Sequence, residues 1–509
     1  PDRIAGSFFI KHHSFRVRID DVEHYLSGYV AYHRLLEARE AQKQSAQLTQ
    51  ATAEPASPRG AEGIVLWGGD VNLGRRQHYR MHDLGGPARM LGDIAALREA
   101  DLRIVNLECV VATTGEQGVE KDEGGPYYYR ARPEMLAVLT EAGIDMVATA
   151  NNHSGDYGPE ALLEQHGLLN AAAIAFAGTG PDLDSALRPA FRQAGGLRVA
   201  LFSLDATQPR FAATAKLPGA AWLSLDDPAA WRATLAPRIA AARHEADVVL
   251  VAVHWGENLE TAPSRAEIAV GHAIVEAGAD AVLGTSAHVL QGIEVHQGRP
   301  ILHDAGDLLF DAIRNDLADS GVFSLRLGPH GVEEVVFTPV GVGFGFSQQL
   351  EGEAAQAASA RFAELCRALG TEMTARPDGR CALQLSPPER TAPAGRPPLA
   401  PLSASRPPAL VGPVLAPRPE WSVDAVPEDA RIRPLQFGPL RLVGIRLAPT
   451  QIIGRRLLWV ESFWTADAPV SADLRVQFRA LPMRSSTMPA WGEAMDHDPC
   501  DWMWPTSRW

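Results

Sequence analysis

The pattern of apolar and polar positions divides residues 64–340 into short strand-like runs separated by segments of helical length. The runs are IVLW, RIVNL, DMVATA, RVALFSL, DVVLVAV, DAVLG and PILHD, and the segments between them are rich in Ala, Leu and Glu. Such alternation predicts an α/β layered domain. Because each run is apolar at nearly every position, we expect a sheet that is covered on both faces. A further helix is predicted over residues 352–369.

The pattern changes on both sides of this domain, which we place at residues 61–385. Residues 1–60 contain a polar stretch over 35–53 that predicts a helical appendage, followed by the loose connection EPASPRG. Residues 386–419 are about one-third proline, which is typical of an extended linker. Residues 420–509 contain the strand-like runs LRLVGIRLAP, RRLLWVESFW and ADLRVQFRAL without a helical pattern, so they predict an all-β sandwich module.

Composition and charge exclude several classes of protein. The 509 residues are 46% hydrophobic and 21% charged, which is a globular composition, and the net charge of −14 disfavours binding to nucleic acid or anionic lipid. Four scattered cysteines are too few for a disulfide framework or a four-thiolate zinc site. The sequence predicts no transmembrane helix and shows no secretory signal in PDRIAGSFFIKHH. We expect the natural protein to extend beyond both ends; the compartment, cytoplasm or cell envelope, and the oligomeric state stay open.

Polar residues that can bind a metal follow several of the apolar runs, which is where open α/β sheets gather their ligands. Asp70 follows the first run behind two glycines, although a lone Asp there is also typical of a turn or a helix N-cap. Asn106 and Glu108 lie on the same side of the extended segment ADLRIVNLECVV. A carboxylate inside an apolar run needs a cation or hydrogen bonds, so a buried Glu paired with an Arg explains this segment equally well.

The segment GIDMVATANNHSGDYG ends a strand with two amides and an imidazole. Asn151, Asn152 and His153 stand in succession, and Asp156 follows them. These groups offer one metal-ligand oxygen and one ring suited to general acid catalysis or phosphate contact. An Asn-rich turn is the structural alternative.

Two later runs end near histidines. His254 ends DVVLVAV, where a lone His is commonly a satisfied core residue. His288 follows DAVLG, and His303, Asp304 and Asp307 stand near the end of PILHD. Together the five segments supply oxygen and imidazole ligands without thiolates. This set suits Mn, Fe, Zn or a hard ion such as Ca, and the number of ligands is compatible with one or two ions.

Six segments then occur in one order across residues 64–340: GGDVNLGRR, ADLRIVNLE, YYYRARPEMLAVLTEAGIDMVATANNHSGDYG, ADVVLVAVHWG, AGADAVLGTSAHVLQGIE and GRPILHDAGDLLFD. In this order they resemble the poly-γ-glutamate capsule synthesis family (CapA-like proteins), which is related to the calcineurin-like metallophosphatases. The resemblance implies a four-layer α-β-β-α sandwich with a metal site at one edge. The Pro-rich linker and the β-rich module lie outside it.

The resemblance also implies roles for single residues. The implied metal ligands are Asp70, Glu108, Asn152, His254 and His288. His153 resembles the catalytic histidine that follows the ligand Asn, and we group Asp156 with it as catalytic. The predicted substrate-binding residues are Arg75, Arg76, Asn151 and Asp307. The two arginines suit bidentate binding of an anion, although a solvated loop explains them equally well.

Two departures from the family pattern concern the last ligands. Family members carry a further histidine in a stretch like GHHPH or GHSAH, where this chain has Thr285 and Ser286. The later SLGNF-like segment is replaced by Ala305, Gly306, Asp307 and Leu308. We therefore expect a mononuclear or altered metal site, with Asp307 as a substitute oxygen donor.

Three functional hypotheses follow. The leading one is a metal-dependent hydrolase that acts on a phosphorylated or peptide-like substrate in the synthesis of poly-γ-glutamate or another exported polymer. A second is a peptide epimerase, in which the cation polarises a carbonyl and a site imidazole removes the α-proton. The third is a polymer-binding or assembly protein with a vestigial metal site. Each implies an anionic small-molecule, peptide or polymer partner and no nucleic acid.

Overall fold

The structure, a computed structural model, describes residues 4–6, 62–115, 121–122, 127–310, 317–389, 423–452, 455–472, 474, 476 and 506–508. The helix predicted over 35–53 and most of the predicted linker, 390–419, lie outside these residues.

The helices are α1 (Gln77–Asp83), α2 (Ala88–Leu91), α3 (Ala96–Glu99), α4 (Leu136–Glu141), α5 (Gly158–Ala171), α6 (Leu183–Ala186), α7 (Pro228–Ala242), α8 (Arg265–Glu276) and α9 (Gly352–Ala368), with 3-10 turns at Pro133–Met135, Pro209–Phe211, Glu428–Ala430 and Thr506–Arg508. The strands are β1 (Ile4–Gly6), β2 (Gly63–Val71), β3 (Leu102–Leu107), β4 (Val110–Val111), β5 (Arg130–Ala131), β6 (Met146–Ala148), β7 (Ala175–Ala177), β8 (Thr179–Gly180), β9 (Ala190–Ala194), β10 (Leu197–Asp205), β11 (Gly219–Ala220), β12 (Val248–His254), β13 (Ala281–Thr285), β14 (Ile293–His296), β15 (Arg299–Leu302), β16 (Asp307–Leu309), β17 (Ala318–Gly328), β18 (Gly331–Gly343), β19 (Phe346–Gln349), β20 (Thr374–Ala375), β21 (Cys381–Gln384), β22 (Arg431–Phe437), β23 (Leu440–Ile452) and β24 (Arg455–Ala466).

A ten-stranded mixed sheet forms the centre of the α/β region. Its order is β20-β21-β18-β17-β2-β3-β6-β7, with β16 paired to β2 and β19 paired to β18. Strands β2, β3, β6 and β7 are parallel, and β17 joins β2 antiparallel. The first three apolar runs of the sequence form β2, β3 and β6, which confirms them as strands.

A second, six-stranded sheet has the order β14-β15-β13-β12-β10-β9. Its parallel strands β10, β12, β13 and β15 are the four remaining apolar runs. All seven residues of β12 are buried, as expected for a strand that is covered on both faces.

Successive side chains of a strand point to opposite faces of the sheet, so the apolar core is divided into several clusters. Val65 and Trp67 of β2 belong to a cluster that also contains Val199 of β10 and Leu250 of β12, so this cluster draws on both sheets. Leu66, which points the other way, packs in a second cluster with residues of the helices. A third cluster joins the opposite face of β12 to residues of α7 and α8. The mixed α/β architecture predicted from the sequence is confirmed.

The described part of residues 420–509 forms a separate antiparallel sheet of order β1-β24-β23-β22. Leu440, Leu442 and Trp464 lie in its apolar cluster. The predicted β-rich character of this region is confirmed, whereas the two-sheet sandwich stays a prediction. Unexpectedly, residues 4–6 add a strand to this sheet, because β1 pairs with β24. Among the described residues, no helix has both the length and the apolar character needed to cross a bilayer.

Candidate metal centre

Strand register brings the predicted ligands to the carboxyl ends of strands in both sheets. In the large sheet, Asp70 near the end of β2 is paired with Asn106 of β3 and with Asp307 of β16. In the second sheet, His254 ends β12 and is paired with Thr285, which ends β13. The parallel strands therefore deliver these side chains to one place, as the strand-end argument predicts.

The two glycines before Asp70 allow a local irregularity in β2. The pairing of β2 with β3 shifts register between Trp67 and Asp70. Gly69 has a φ of +74°, and a Cβ atom there would lie 2.3 Å from the carbonyl oxygen of Gly306. Only glycine fits this position without strain, which explains why the sequence places glycine directly before the first candidate ligand.

Glu108 lies at the centre of the site. Its side chain is fully buried, and neither carboxylate oxygen has a hydrogen-bond partner among the described residues. Its Oε1 atom lies 3.7 Å from His153 Nε2, 3.9 Å from His254 Nε2 and 3.8 Å from His288 Nε2. Burial raises the pKa of Glu108 well above its ordinary value, and the nearby charge of His288 opposes this shift. An Arg partner, the alternative left open by the sequence, is not among these neighbours.

Asp70, His288 and Asp307 form a group of candidate metal ligands beside Glu108. One candidate ligand atom from each lies within 4.8 Å of the others. His288 Nδ1 lies 2.8 Å from Asp307 Oδ1 and 3.6 Å from Asp70 Oδ2. Burial raises the pKa of Asp70 to about 6, with His288 opposing it. Burial lowers the pKa of His288, but Glu108 and the two aspartates outweigh that effect and raise it well above its usual value.

Asn152 and His254 complete the set of implied ligands. Asn152 Oδ1 lies 3.0 Å from His254 Nε2, while His254 Nδ1 lies 3.0 Å from Thr285 Oγ1 and 3.2 Å from Asn106 Nδ2. Burial lowers the pKa of His254 well below its ordinary value, so the imidazole is held neutral. A neutral imidazole fixed through Nδ1 presents Nε2 as a ligand atom.

His153 and Asp156 form a buried pair at the edge of this group. His153 Nδ1 lies 2.6 Å from Asp156 Oδ2, and the imidazole ring stacks on Tyr129 with 4.0 Å between the ring centroids. Burial and the charge of Lys121 lower the pKa of His153 well below its usual value, whereas burial raises that of Asp156 to about 7. The pair has the arrangement that a positioned general acid or base requires.

The two arginines predicted to bind substrate contact different aromatic rings. Arg75 has a φ of +53°, and its guanidinium lies 5.6 Å from the ring centroids of both Tyr127 and Tyr129. Its charge also lowers the pKa of His153, which locates it near the candidate site. The guanidinium of Arg76 instead lies 4.6 Å from the ring centroid of Phe344. Their contact with substrate stays a prediction.

Asn151 is buried and has contacts within the protein. Its Nδ2 donates to Asn106 Oδ1 at 3.1 Å and to the Leu107 carbonyl at 2.9 Å, and its Oδ1 accepts from the His153 amide at 3.1 Å. These bonds hold the Asn151 loop against β3. The predicted substrate contact of Asn151 is not tested by them.

Three residues have roles that the sequence did not suggest. Lys121 stands in the charged segment GVEKDEGG, which is typical of a solvated loop, yet its ammonium is buried against Asp156. Thr285 contacts His254 Nδ1 rather than replacing a ligand. Ser286 donates its hydroxyl to the Gly256 carbonyl at 2.7 Å and its amide to Asp70 Oδ2 at 3.1 Å. The missing family histidine is thus replaced by groups that orient other site residues.

The donor set fits a divalent cation. The separations between Glu108 Oε1 and the Nε2 atoms of the implied ligands His254 and His288, 3.9 and 3.8 Å, are too long for hydrogen bonds. They are close to the ligand-to-ligand distances of about 3.3–3.6 Å that follow from metal bonds of about 2.0–2.2 Å in a tetrahedral site. A buried carboxylate without hydrogen bonds is costly unless a positive charge compensates it. Oxygen and imidazole donors without thiolates suit Mn, Fe or Zn.

Comparison with known proteins agrees with the order of the motifs. The family model described as bacterial capsule synthesis protein PGA_cap matches residues 64–312. A probable polyglutamine synthesis accessory protein of Mycobacterium tuberculosis is 31% identical over 48% of this chain and 74% of its own length. The capsule biosynthesis protein CapA of Bacillus anthracis is 26% identical over 58% of this chain and 71% of its own. The PGA biosynthesis protein CapA of Bacillus subtilis is 27% identical over 42% of this chain and 55% of its own. The motifs and these matches together establish that the chain belongs to the PGA_cap family of bacterial capsule synthesis proteins.

Proposed function

We propose that the chain is a metal-dependent hydrolase that acts on a phosphorylated or peptide-like anionic substrate in the synthesis of poly-γ-glutamate or a similar exported polymer. The observation that carries this proposal is the carboxylate of Glu108. It is buried without hydrogen bonds and faces three imidazole nitrogens at 3.7–3.9 Å. The ionised form of such a group is costly unless positive charge compensates it, and a bound cation would supply that charge.

Five side chains would hold the ion: Asp70, Glu108, Asn152, His254 and His288. A bound divalent cation supplies a Lewis acid and lowers the pKa of a coordinated water. Asp307, 2.8 Å from His288 Nδ1, adds a carboxylate where the family segment SLGNF has an amide. The missing histidine at Thr285 and Ser286 supports a site with one strongly bound ion, unless Asp307 supplies the substitute ligand.

His153 supplies the proton chemistry in this proposal. Asp156 binds Nδ1, so Nε2 is the nitrogen that faces the site, where it can accept a proton from the attacking water and pass it to the leaving group. Arg75, whose charge acts on His153, is the candidate clamp for an anionic group of the substrate. The relatives' names, which refer to capsule and PGA biosynthesis, together with the resemblance to the poly-γ-glutamate capsule synthesis family, support a glutamate-rich substrate.

The experiment compares three variants of the full chain after loading with Mn²⁺. Bound metal is measured by mass spectrometry of the digested protein, and hydrolysis is followed with p-nitrophenyl phosphate and with a γ-linked glutamate peptide. We expect His153→Ala to abolish turnover and keep its metal, and Asp70→Ala to lose both. The exposed His244 provides the control, because His244→Ala should change neither quantity.

Each other outcome has a defined meaning. Loss of metal in His153→Ala would reassign that residue as a ligand. A parent protein that holds no metal refutes the proposal and favours the non-catalytic polymer-binding hypothesis. Metal binding with solvent deuterium incorporation at a glutamate α-carbon, and no hydrolysis, favours the epimerase.

We also propose that the α/β domain has the four layers α-β-β-α that the family resemblance implies. The proposal is supported by the apolar cluster that both sheets share and by the two clusters that contain helix residues. In that arrangement the candidate metal centre lies at the common edge of the two sheets.

A further inference from the structure

Lys121 is a buried lysine beside the candidate catalytic pair. Its side chain has 0% of its surface exposed, although its sequence neighbours are charged and polar. Burying an ammonium is unfavourable unless opposite charge and hydrogen-bond acceptors surround it. The contacts of Lys121 therefore indicate what this charge is for.

Both the side-chain ammonium and the main-chain carbonyl of Lys121 contact other residues of the chain. Nζ lies 2.8 Å from Asp156 Oδ1 and donates to the Tyr127 carbonyl at 3.1 Å. The rings of Tyr128 and Phe211 lie 5.5 and 5.6 Å from Nζ, within the range of cation–π attraction. The main-chain oxygen of Lys121 accepts from Gln208 Nε2 at 2.9 Å.

Asp156 connects this ammonium to the imidazole. One carboxylate oxygen faces Lys121, while the other accepts the Tyr129 amide at 2.6 Å and lies 2.6 Å from His153 Nδ1. Burial raises the pKa of Asp156 to about 7, and Lys121 is the largest influence opposing that shift. The Lys121 ammonium beside one oxygen and the Tyr129 amide at the other make both oxygens acceptors, as they are in the ionised carboxylate.

The distances around His153 Nδ1 indicate which ring nitrogen carries the proton. An ammonium has only protons to donate, and Lys121 Nζ lies 3.4 Å from Nδ1, whereas Asp156 Oδ2 lies at 2.6 Å. The shorter contact to an ionised carboxylate requires a proton on Nδ1. Nε2 of the neutral ring then carries the lone pair and faces Glu108 Oε1 at 3.7 Å.

We propose that Lys121 is a positioning residue that acts through Asp156 to hold His153 in the Nδ1–H tautomer, with Nε2 directed into the metal centre. This inference rests on the proposed hydrolytic function for its kinetic consequence but not for the tautomer itself. Lys121 is not a nucleophile here, because its ammonium is fully buried, forms an ion pair with Asp156 and donates to the Tyr127 carbonyl. A purely structural role would change stability and leave the tautomer unchanged.

The test measures the tautomer directly. The full chain is labelled with ¹⁵N-histidine, loaded with diamagnetic Zn²⁺, and examined by long-range ¹H–¹⁵N correlation, with the His153 signals identified from His153→Gln. We expect the Nδ1–H pattern in the parent protein. In Lys121→Met we expect the Nε2–H pattern or an average of the two tautomers, and in Lys121→Arg, which keeps the charge, the parental pattern.

Kinetics provides the second measurement. With p-nitrophenyl phosphate as the probe, Lys121→Met should lower kcat about 10- to 100-fold with KM and metal content nearly unchanged, which is the usual size of an effect from a residue that orients another site group. Lys121→Arg should recover part of kcat. Lys216 is an exposed lysine, and Lys216→Met is the matched control that should leave both measurements at the parental value.

The outcomes separate this inference from the proposed function. An Nε2–H pattern in the parent overturns the role of Lys121 even if no variant folds. A parental pattern in folded Lys121→Met also overturns it. If the parent hydrolyses no probe but its tautomer changes in Lys121→Met, the hydrolase proposal fails and the positioning role stands.

Discussion

Replacing Glu108 with Gln should stabilise the metal-free protein and weaken its stabilisation by metal. The carboxyl group is fully buried and has no hydrogen bond among the described residues, so in metal-free protein burial, Asp70 and Asp307 oppose its ionisation while His288 and Lys121 favour it. Gln has nearly the same shape without the charge. We therefore expect metal-free Glu108→Gln to be more stable than the parent at neutral pH.

The pH dependence gives the magnitude. Because burial raises the folded-state pKa of Glu108 above 4.5, the folded parent holds a proton that the unfolded chain has released. The contribution of this group is therefore fully present below pH 4.5 and is lost as the pH rises towards the folded-state pKa. Each pH unit between the two pKa values corresponds to about 1.4 kcal/mol, so the free energy of unfolding of the parent should fall with that slope, relative to Glu108→Gln, as the pH rises above 4.5.

Metal favours the parent over Glu108→Gln. A cation present at 100 times its dissociation constant stabilises the folded parent by about 2.7 kcal/mol. If the loss of Glu108 weakens binding 100-fold, the same concentration stabilises Glu108→Gln by only about 0.4 kcal/mol. The assay is urea unfolding at pH 5, 6, 7 and 8, in EDTA and in Mn²⁺.

Glu134 offers a matched control, since burial also raises its pKa but its carboxylate lies near His78 and Arg132. Glu134→Gln should leave the stabilisation by Mn²⁺ unchanged. The reasoning is refuted if Glu108→Gln gains as much stability from Mn²⁺ as the parent does. It is also refuted if metal-free Glu108→Gln loses stability with rising pH as steeply as the parent.

Three further predictions concern other parts of the chain. Burial lowers the pKa of His166 to about 4. Because the unfolded chain binds a proton at a higher pH than the folded protein does, the free energy of unfolding should decrease as the pH falls from 6.5 to 4. In urea unfolding, His166→Gln should reduce this decrease by up to about 2 kcal/mol. Ser264 caps α8 in a capping box with Glu267, and Ser264→Ala should lower the free energy of unfolding by about 1 kcal/mol, whereas an unchanged midpoint would show that the box contributes nothing. Thr285→His restores an imidazole of the family pattern and should raise bound metal from about one ion per chain towards two, measured by mass spectrometry; two ions in the parent would contradict the idea and point to Asp307 as the substitute ligand.

The sequence alone determined the strands and the order of the candidate ligands. Runs that are apolar at every position, such as the one that became β12, have no other stable place than the interior of a layered domain. Because parallel strands end at a common edge, the positions of Asp70, Glu108, His254 and His288 after such runs were sufficient to predict that they meet. The glycines before Asp70 were also informative, since only glycine tolerates the backbone at position 69.

Only the tertiary structure decided which contacts each side chain makes. Lys121 is typical of a solvated loop by its neighbours, and its burial depends on Asp156 and Gln208, which are distant in sequence. Thr285 stands where the family pattern has a histidine, and only strand pairing shows that its hydroxyl lies beside His254 Nδ1. The strand at residues 4–6 pairs with β24, more than 450 positions away. Apolar patterning is a local property that a sequence displays, whereas the partner of a buried polar group is fixed by the packing of segments that the sequence leaves unconnected.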